Sequence, residues 1–132
     1  SGTNTIALVG GSTRTDRPSH SVAAFLKSCG YRVIPVNPGQ AGQQALGETV
    51  RASLADIAPD EGVDMVDIFR RSEDVPPVVE EALAHLPGLK TVWMQLGIRN
   101  EAAATAARAR GVTVVENSCP AIDIPRLGIW RE

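Results

Sequence analysis

At 132 residues, 43% hydrophobic and 21% charged, the chain has the length and balance of one globular domain whose core needs neither metal nor disulfide. Its formal charge of −2 lacks the basic excess of a nucleic-acid surface, and its two cysteines, Cys29 and Cys119, are too few for a disulfide framework or a zinc site. No apolar run reaches the length of a membrane span, no signal-peptide pattern opens the chain, and Ser1-Gly2 reads as the remnant of a cleavage site; a single domain over residues 3–132 and a cytoplasmic location are expected.

The first apolar run, Thr5-Ile6-Ala7-Leu8-Val9, is short, β-rich and closed by Gly10-Gly11, and it predicts a buried strand. Val22, Phe25, Leu26 and Cys29 then recur at helical spacing, with Pro18 suited to the first turn and Gly30 to the C-terminal cap. Arg32 to Pro38 predicts a second strand, whose internal Pro35 points to a bulge or a sheet edge. Residues 39–49 read as a loop, followed by a weak helical turn around Ser53–Ile57. Val63–Phe69 predicts a third strand. Val75, Val78, Val79, Ala82, Leu83 and Leu86 mark one face of a helix, the clearest periodicity in the chain. A fourth strand over Thr91–Leu96, an alanine-rich helix over Glu101–Arg110 closed by Gly111, and a fifth strand over Val112–Val115 complete the series.

Strands alternating with helical segments predict an α/β fold: a Rossmann-like, doubly wound five-stranded parallel sheet, with expected strand order 3-2-1-4-5 and a switch point beside the first strand. Neither an internal repeat nor a domain linker interrupts it. Ligands of such sheets bind beyond the carboxyl ends of the strands at the switch point. There the turn Gly10-Gly11-Ser12-Thr13-Arg14 offers small residues and hydroxyls, and it runs into a helix whose N-terminal N–H groups favour an anion. Arg14 and Arg17 add forked donors suited to phosphate. A glycine turn with no ligand is the plain alternative. The pattern is not G-x-G-x-x-G, the second strand ends in Asn37 rather than an acid for a ribose diol, and no lysine follows the glycines as in a Walker loop. ATP hydrolysis is therefore not expected, and a nicotinamide cofactor is disfavoured.

Six segments carry a resemblance in order along nearly the whole chain: Gly10-Gly11-Ser12, Asp16-Arg17-Pro18-Ser19, Tyr31 to Pro38, Val63 to Arg71, Gln95-Leu96-Gly97-Ile98 and Cys119-Pro120. In these the chain resembles the small bacterial and archaeal CoA-binding proteins, which are similar to the N-terminal domain of the succinyl-CoA synthetase α subunit standing alone. The resemblance implies that Gly11, Ser12, Thr13 and Arg14, with Arg17, Pro18 and Ser19, cradle the phosphates of coenzyme A. It implies that Asn37, Pro38, Gly39 and Gln40 face the adenosine end, and that Phe69 and Arg70, with Gln95 and Leu96, line the groove. The synthetase domain has a lysine where this chain has Gln40, so Arg70 or Arg71 is the candidate replacement for the 3′-phosphate contact. The synthetase's phosphorylated histidine belongs to a second domain and matches neither His20 nor His85.

Among the remaining candidates, His20 stands in the first helical turn, either near the anion site or at the surface, and His85 reads as surface. Asp64 and Asp67, three residues apart in a strand, fall on opposite faces and make a poor acid–base pair, though one is a candidate buried acceptor. Trp93 and Met94 read as core, and Cys29 as buried and inert. Cys119 follows the fifth strand near the crevice, either as a thiol beside a bound thiol cofactor or as a small residue before proline. No nucleophile–base pair or metal set is evident, so the expected function is binding of coenzyme A or an acyl-CoA, without catalysis by the chain alone. A homodimer or an acyl-CoA enzyme is the expected protein partner. The alternative is an NAD(P)-binding oxidoreductase or redox sensor on the same fold.

Overall fold

A computed structural model of the chain describes residues 5–10, 18–45, 47–95 and 97–116, with only the backbone described for 18–21. In chain order these form β1 (Thr5–Val9), α1 (Pro18–Ser28), β2 (Arg32–Val36), a short hairpin of β3 (Gln44–Ala45) and β4 (Glu48–Thr49), β5 (Met65–Ile68), α2 (Val75–His85), β6 (Thr91–Met94), α3 (Glu101–Ala109) and β7 (Thr113–Val115). All five residues of β1 are buried, as befits a strand with parallel neighbours on both sides and helices on both faces. One face packs Ala7, Ile34, Val66 and Val92 under α2 and α3, and the other packs Ile6, Leu8 and Trp93 under Val22 and Leu26 of α1.

The sheet is all parallel, as expected, but its order is β2-β1-β5-β6-β7. In terms of the five predicted strands this is 2-1-3-4-5, not 3-2-1-4-5: the third strand pairs with the first. The reason is local. The third strand, β5, is buried at every position and suits the interior, whereas β2 opens on the exposed Arg32 and carries Pro35. The Pro35 carbonyl accepts from Arg51 N at 2.9 Å, on the side away from β1, so the missing proline N–H also falls outside the main ladder. The switch point still adjoins β1, now between β2 and β5.

The link from β2 to β5 crosses the end of β1 without an α-helix. It uses single turns at Pro38–Gln40, Leu54–Asp56 and Pro59–Glu61, together with the hairpin. The hairpin falls in the stretch expected to be loop. With two paired residues on each side it has no apolar alternation to announce it, and it is held by Val50 N on Gln43 O at 2.8 Å and Gln44 Nε2 on Thr49 Oγ1 at 2.8 Å.

Ion pairs fasten this link to the sheet edge. Arg51 donates two parallel bonds to Glu61, at 2.9 and 3.0 Å, and Arg32 bridges Glu48 at 3.0 Å and Glu61 at 3.1 Å. The Arg51 bonds, aided by Ala58 N, hold the Glu61 carboxyl down at about 2. A depressed carboxylate stabilises the fold above its unfolded value and loses that contribution as pH falls through its folded value. Glu61→Gln should therefore cost about 1–2 kcal/mol at pH 7, with the partly exposed pairs screened by solvent. In urea melts that deficit should shrink as pH falls below the ordinary carboxylate range and vanish only below pH 2; a pH-independent deficit would show that the charge plays no part.

Candidate functional site

The carboxyl ends of β1, β2 and β5 meet at Gly10. Gly10 N donates to Val36 O at 2.7 Å, and Phe69 N donates to Val9 O at 2.8 Å, so the chain leaves β1 hydrogen-bonded to both neighbouring strands. Gly10 has φ +92, and a Cβ there would stand 2.5 Å from the Phe69 carbonyl oxygen. Only glycine fits on both counts.

Beside this junction, on the α2 face, lies a cleft of about 200 Å³. Val9 and Val36 form its floor, Leu54, Val78 and Pro38 its walls, and Ser53, Arg70 and Glu81 its polar margin. Glu81 Oε1 accepts from Leu54 N at 2.7 Å, which ties the wall segment to α2. Arg70 is half-buried and makes no ion pair among the described residues. Such a cation beside apolar walls can meet an anion, while the walls can take a flat apolar group.

Two of the expected site residues, Pro38 and Arg70, thus line one cleft. Asn37 stands beside it with its Oδ1 accepting from Gly39 N at 3.0 Å, which shapes the turn that also carries Gln40. Phe69 and Gln95 belong to the opposite face, the one covered by α1: Phe69 packs on the α1 cluster and Gln95 reaches Asp67. The expected set is therefore divided across the two faces of the β1–β5 junction. Pro18 and Ser19 open α1, their side chains outside the described residues. Gly11, Ser12, Thr13, Arg14, Arg17, Leu96 and Cys119 also lie outside the described residues. Cys29 is half-buried against the α1 cluster rather than fully buried, and His85 is exposed.

Of the two acids of the third strand, Asp67 is the fully buried acceptor. It lies in β5, in register with Leu8 on β1 and Trp93 on β6. Its Oδ1 accepts from Gln95 Nε2 at 2.8 Å, and its Oδ2 has no hydrogen-bond partner among the described residues. Burial pushes its carboxyl up to about 7, against the smaller opposing effect of the Gln95 bond. Asp64, by contrast, precedes the strand and accepts from Thr5 N at 3.2 Å, at the other end of the sheet. The available signal was an acid inside a strand that is otherwise apolar and central.

A carboxyl raised on folding has the opposite linkage to Glu61. The unfolded chain releases its proton first, so stability falls as pH climbs from the ordinary carboxylate value toward 7. Asp67→Asn, which cannot ionise, should match the parent near pH 4 and exceed it at pH 8 by about 5 °C or more in melting temperature. A gain of the same size at both pH values would remove ionisation from the explanation.

The profile described as "CoA binding domain" matches residues 4–125. The "Uncharacterized protein YneT" of Bacillus subtilis (strain 168) is 41% identical over 114 residues, covering 86% of this chain and 80% of that one. A solved structure from Thermus thermophilus is 37% identical with a TM-score of 0.87, over 95% of this chain and 90% of that chain. A dinucleotide-forming acetyl-coenzyme A synthetase of Ca. Korarchaeum cryptofilum, solved with phosphate and ADP, shares the fold at 24% identity and a TM-score of 0.69. That likeness takes in 86% of this chain and 26% of the synthetase. With nearly its whole length matched by the profile, the chain belongs to the CoA-binding domain family.

Proposed function

We propose that this chain is a binding module for coenzyme A or an acyl-CoA, held across the carboxyl ends of β1, β2 and β5. The observation that carries the reading is the cleft beside Gly10, with apolar walls and a half-buried Arg70 that has no ion pair among the described residues. Its volume suits a nucleobase rather than a whole cofactor, so the adenosine end would enter between Leu54 and Val78. Arg70 would meet a phosphate there, replacing the synthetase lysine that Gln40 lacks. The pyrophosphate would then cross the junction toward the turn after Gly10 and the start of α1. That is where Gly11, Ser12, Thr13, Arg14, Arg17 and Ser19 offer hydroxyls, backbone donors and guanidinium groups. Membership of a CoA-binding family supports the ligand class, and Asn37 at the end of β2 supports CoA over an unmodified ribose diol.

A ligand held near 100 times its dissociation constant adds about 2.7 kcal/mol, a readable thermal shift. CoA should therefore raise the melting temperature more than NADH or NADPH at matched concentration, and a larger shift with either nicotinamide cofactor would overturn the assignment. Arg70→Ala should leave the ligand-free melt within about 1 °C, since no described partner is lost. The same change should weaken CoA binding by about tenfold or more in calorimetry. Unchanged affinity would take Arg70 out of the site.

A further inference from the structure

The polar margin of the cleft divides by chemistry. Ser53 is already engaged, its Oγ donating to Asp56 Oδ2 at 3.3 Å. Arg70 can only donate, and Glu81, as a carboxylate, can only accept. Both line the same cleft, yet no ion pair joins them.

Glu81 is fixed from two directions. It follows Pro77 and Val78 on α2 at i+4 and i+3, so the three share the helix face that lines the cleft. Its Oε1 accepts from Leu54 N at 2.7 Å, and its Oε2 has no hydrogen-bond partner among the described residues. The carboxylate thus spans the two walls, Leu54 and Val78, with one acceptor oxygen to spare. This side of the cleft does not suit a phosphate. α2 opens with Val75-Pro76-Pro77, so two of its first three residues lack the N–H that an anion would meet, and the Glu81 charge opposes an anion as well. A flat apolar group that carries a hydrogen-bond donor suits it better.

We propose that Glu81 reads the base of the bound cofactor, its spare oxygen accepting from the exocyclic 6-amino group of adenine and rejecting 6-oxo purines. This rests on the CoA reading above. The apolar walls can hold any purine ring, so a polar group at the ring edge must tell one purine from another. With adenine, an N–H meets the carboxylate oxygen. Hypoxanthine or guanine in the same pose would set a carbonyl oxygen against it, two acceptors face to face with neither satisfied.

Glu81→Gln isolates this role from the support of the wall. Leu54 N can bond only to the amide oxygen, so the variant keeps that tie while its NH2 group replaces the spare acceptor with a donor. Affinities are measured by calorimetry for the parent and Glu81→Gln, with CoA and with the 6-oxo analogue made by deaminating its adenine. The parent should bind CoA about tenfold or more tightly than the analogue. Glu81→Gln should narrow that preference to near unity or reverse it, weakening CoA while strengthening the analogue. Equal affinity of the parent for the two ligands, or a preference unchanged in Glu81→Gln, would overturn the base reading and leave the CoA reading standing. No binding of either ligand to the parent would overturn the CoA reading and this inference with it. Should Glu81→Gln fail to fold, Glu81→Asp decides the matter, since it keeps the charge but draws the acceptor back by one methylene. A preference reduced there upholds the base reading, and one retained in full refutes it.

Discussion

The contact between Gly10 and the Phe69 carbonyl governs where everything else at the carboxyl end of the sheet can go. Without a Cβ at residue 10, β1 and β5 can close on each other while the chain turns away at φ +92. The bonds from Gly10 N to Val36 O and from Phe69 N to Val9 O then lock three strand ends at one level. α1 packs on one face of the sheet. The link from β2, which must cross β1 to reach β5, leaves toward the other. A side chain at residue 10 would displace the Phe69–Arg70 segment and, with it, a cation that margins the cleft.

That division gives the two faces different physical characters. On the α2 face the wall of the cleft is borrowed from the irregular segment around Leu54, which is held by the burial of Leu54 and Ile57 in the core and by charged groups. Glu81 takes the Leu54 N–H, and Glu61 anchors Arg51 three residues upstream. These pairs are partly solvated, and their value lies less in net stability than in fixing the position of a segment with no helix or strand of its own. On the α1 face the packing among the described residues is mainly apolar, with Asp67 and Gln95 as a polar pair kept at the cost of burying a carboxyl.

Much of this was legible in the residues. Apolar runs bounded by Gly and Pro mark all five sheet strands, and the spacing Val75-Val79-Ala82-Leu86 becomes the buried stripe of α2. Pro35 correctly pointed to an edge. Strand order was less legible, because a buried strand pairs equally well with either neighbour. The outcome hung on Arg51 covering the outer side of β2, a contact between segments with no periodic signal. Asn37, Pro38 and Arg70 could be picked out as strand-end residues, and the structure gathers them near one cleft. Glu81 and Leu54 could not, since one is an ordinary helix acid and the other one of several apolar residues in a weak helical turn. Asp67 was visible as an acid within an apolar strand, but its isolation depends on the register that sets Leu8 and Trp93 on either side.

The most direct test of the central claim is a crystal structure of the chain grown with CoA. Adenosine is expected between Leu54 and Val78, with a phosphate oxygen on the Arg70 guanidinium and the pyrophosphate running beyond Gly10 toward the start of α1. CoA seated at the opposite end of the sheet, in the groove between Leu86 and Val112, would contradict it.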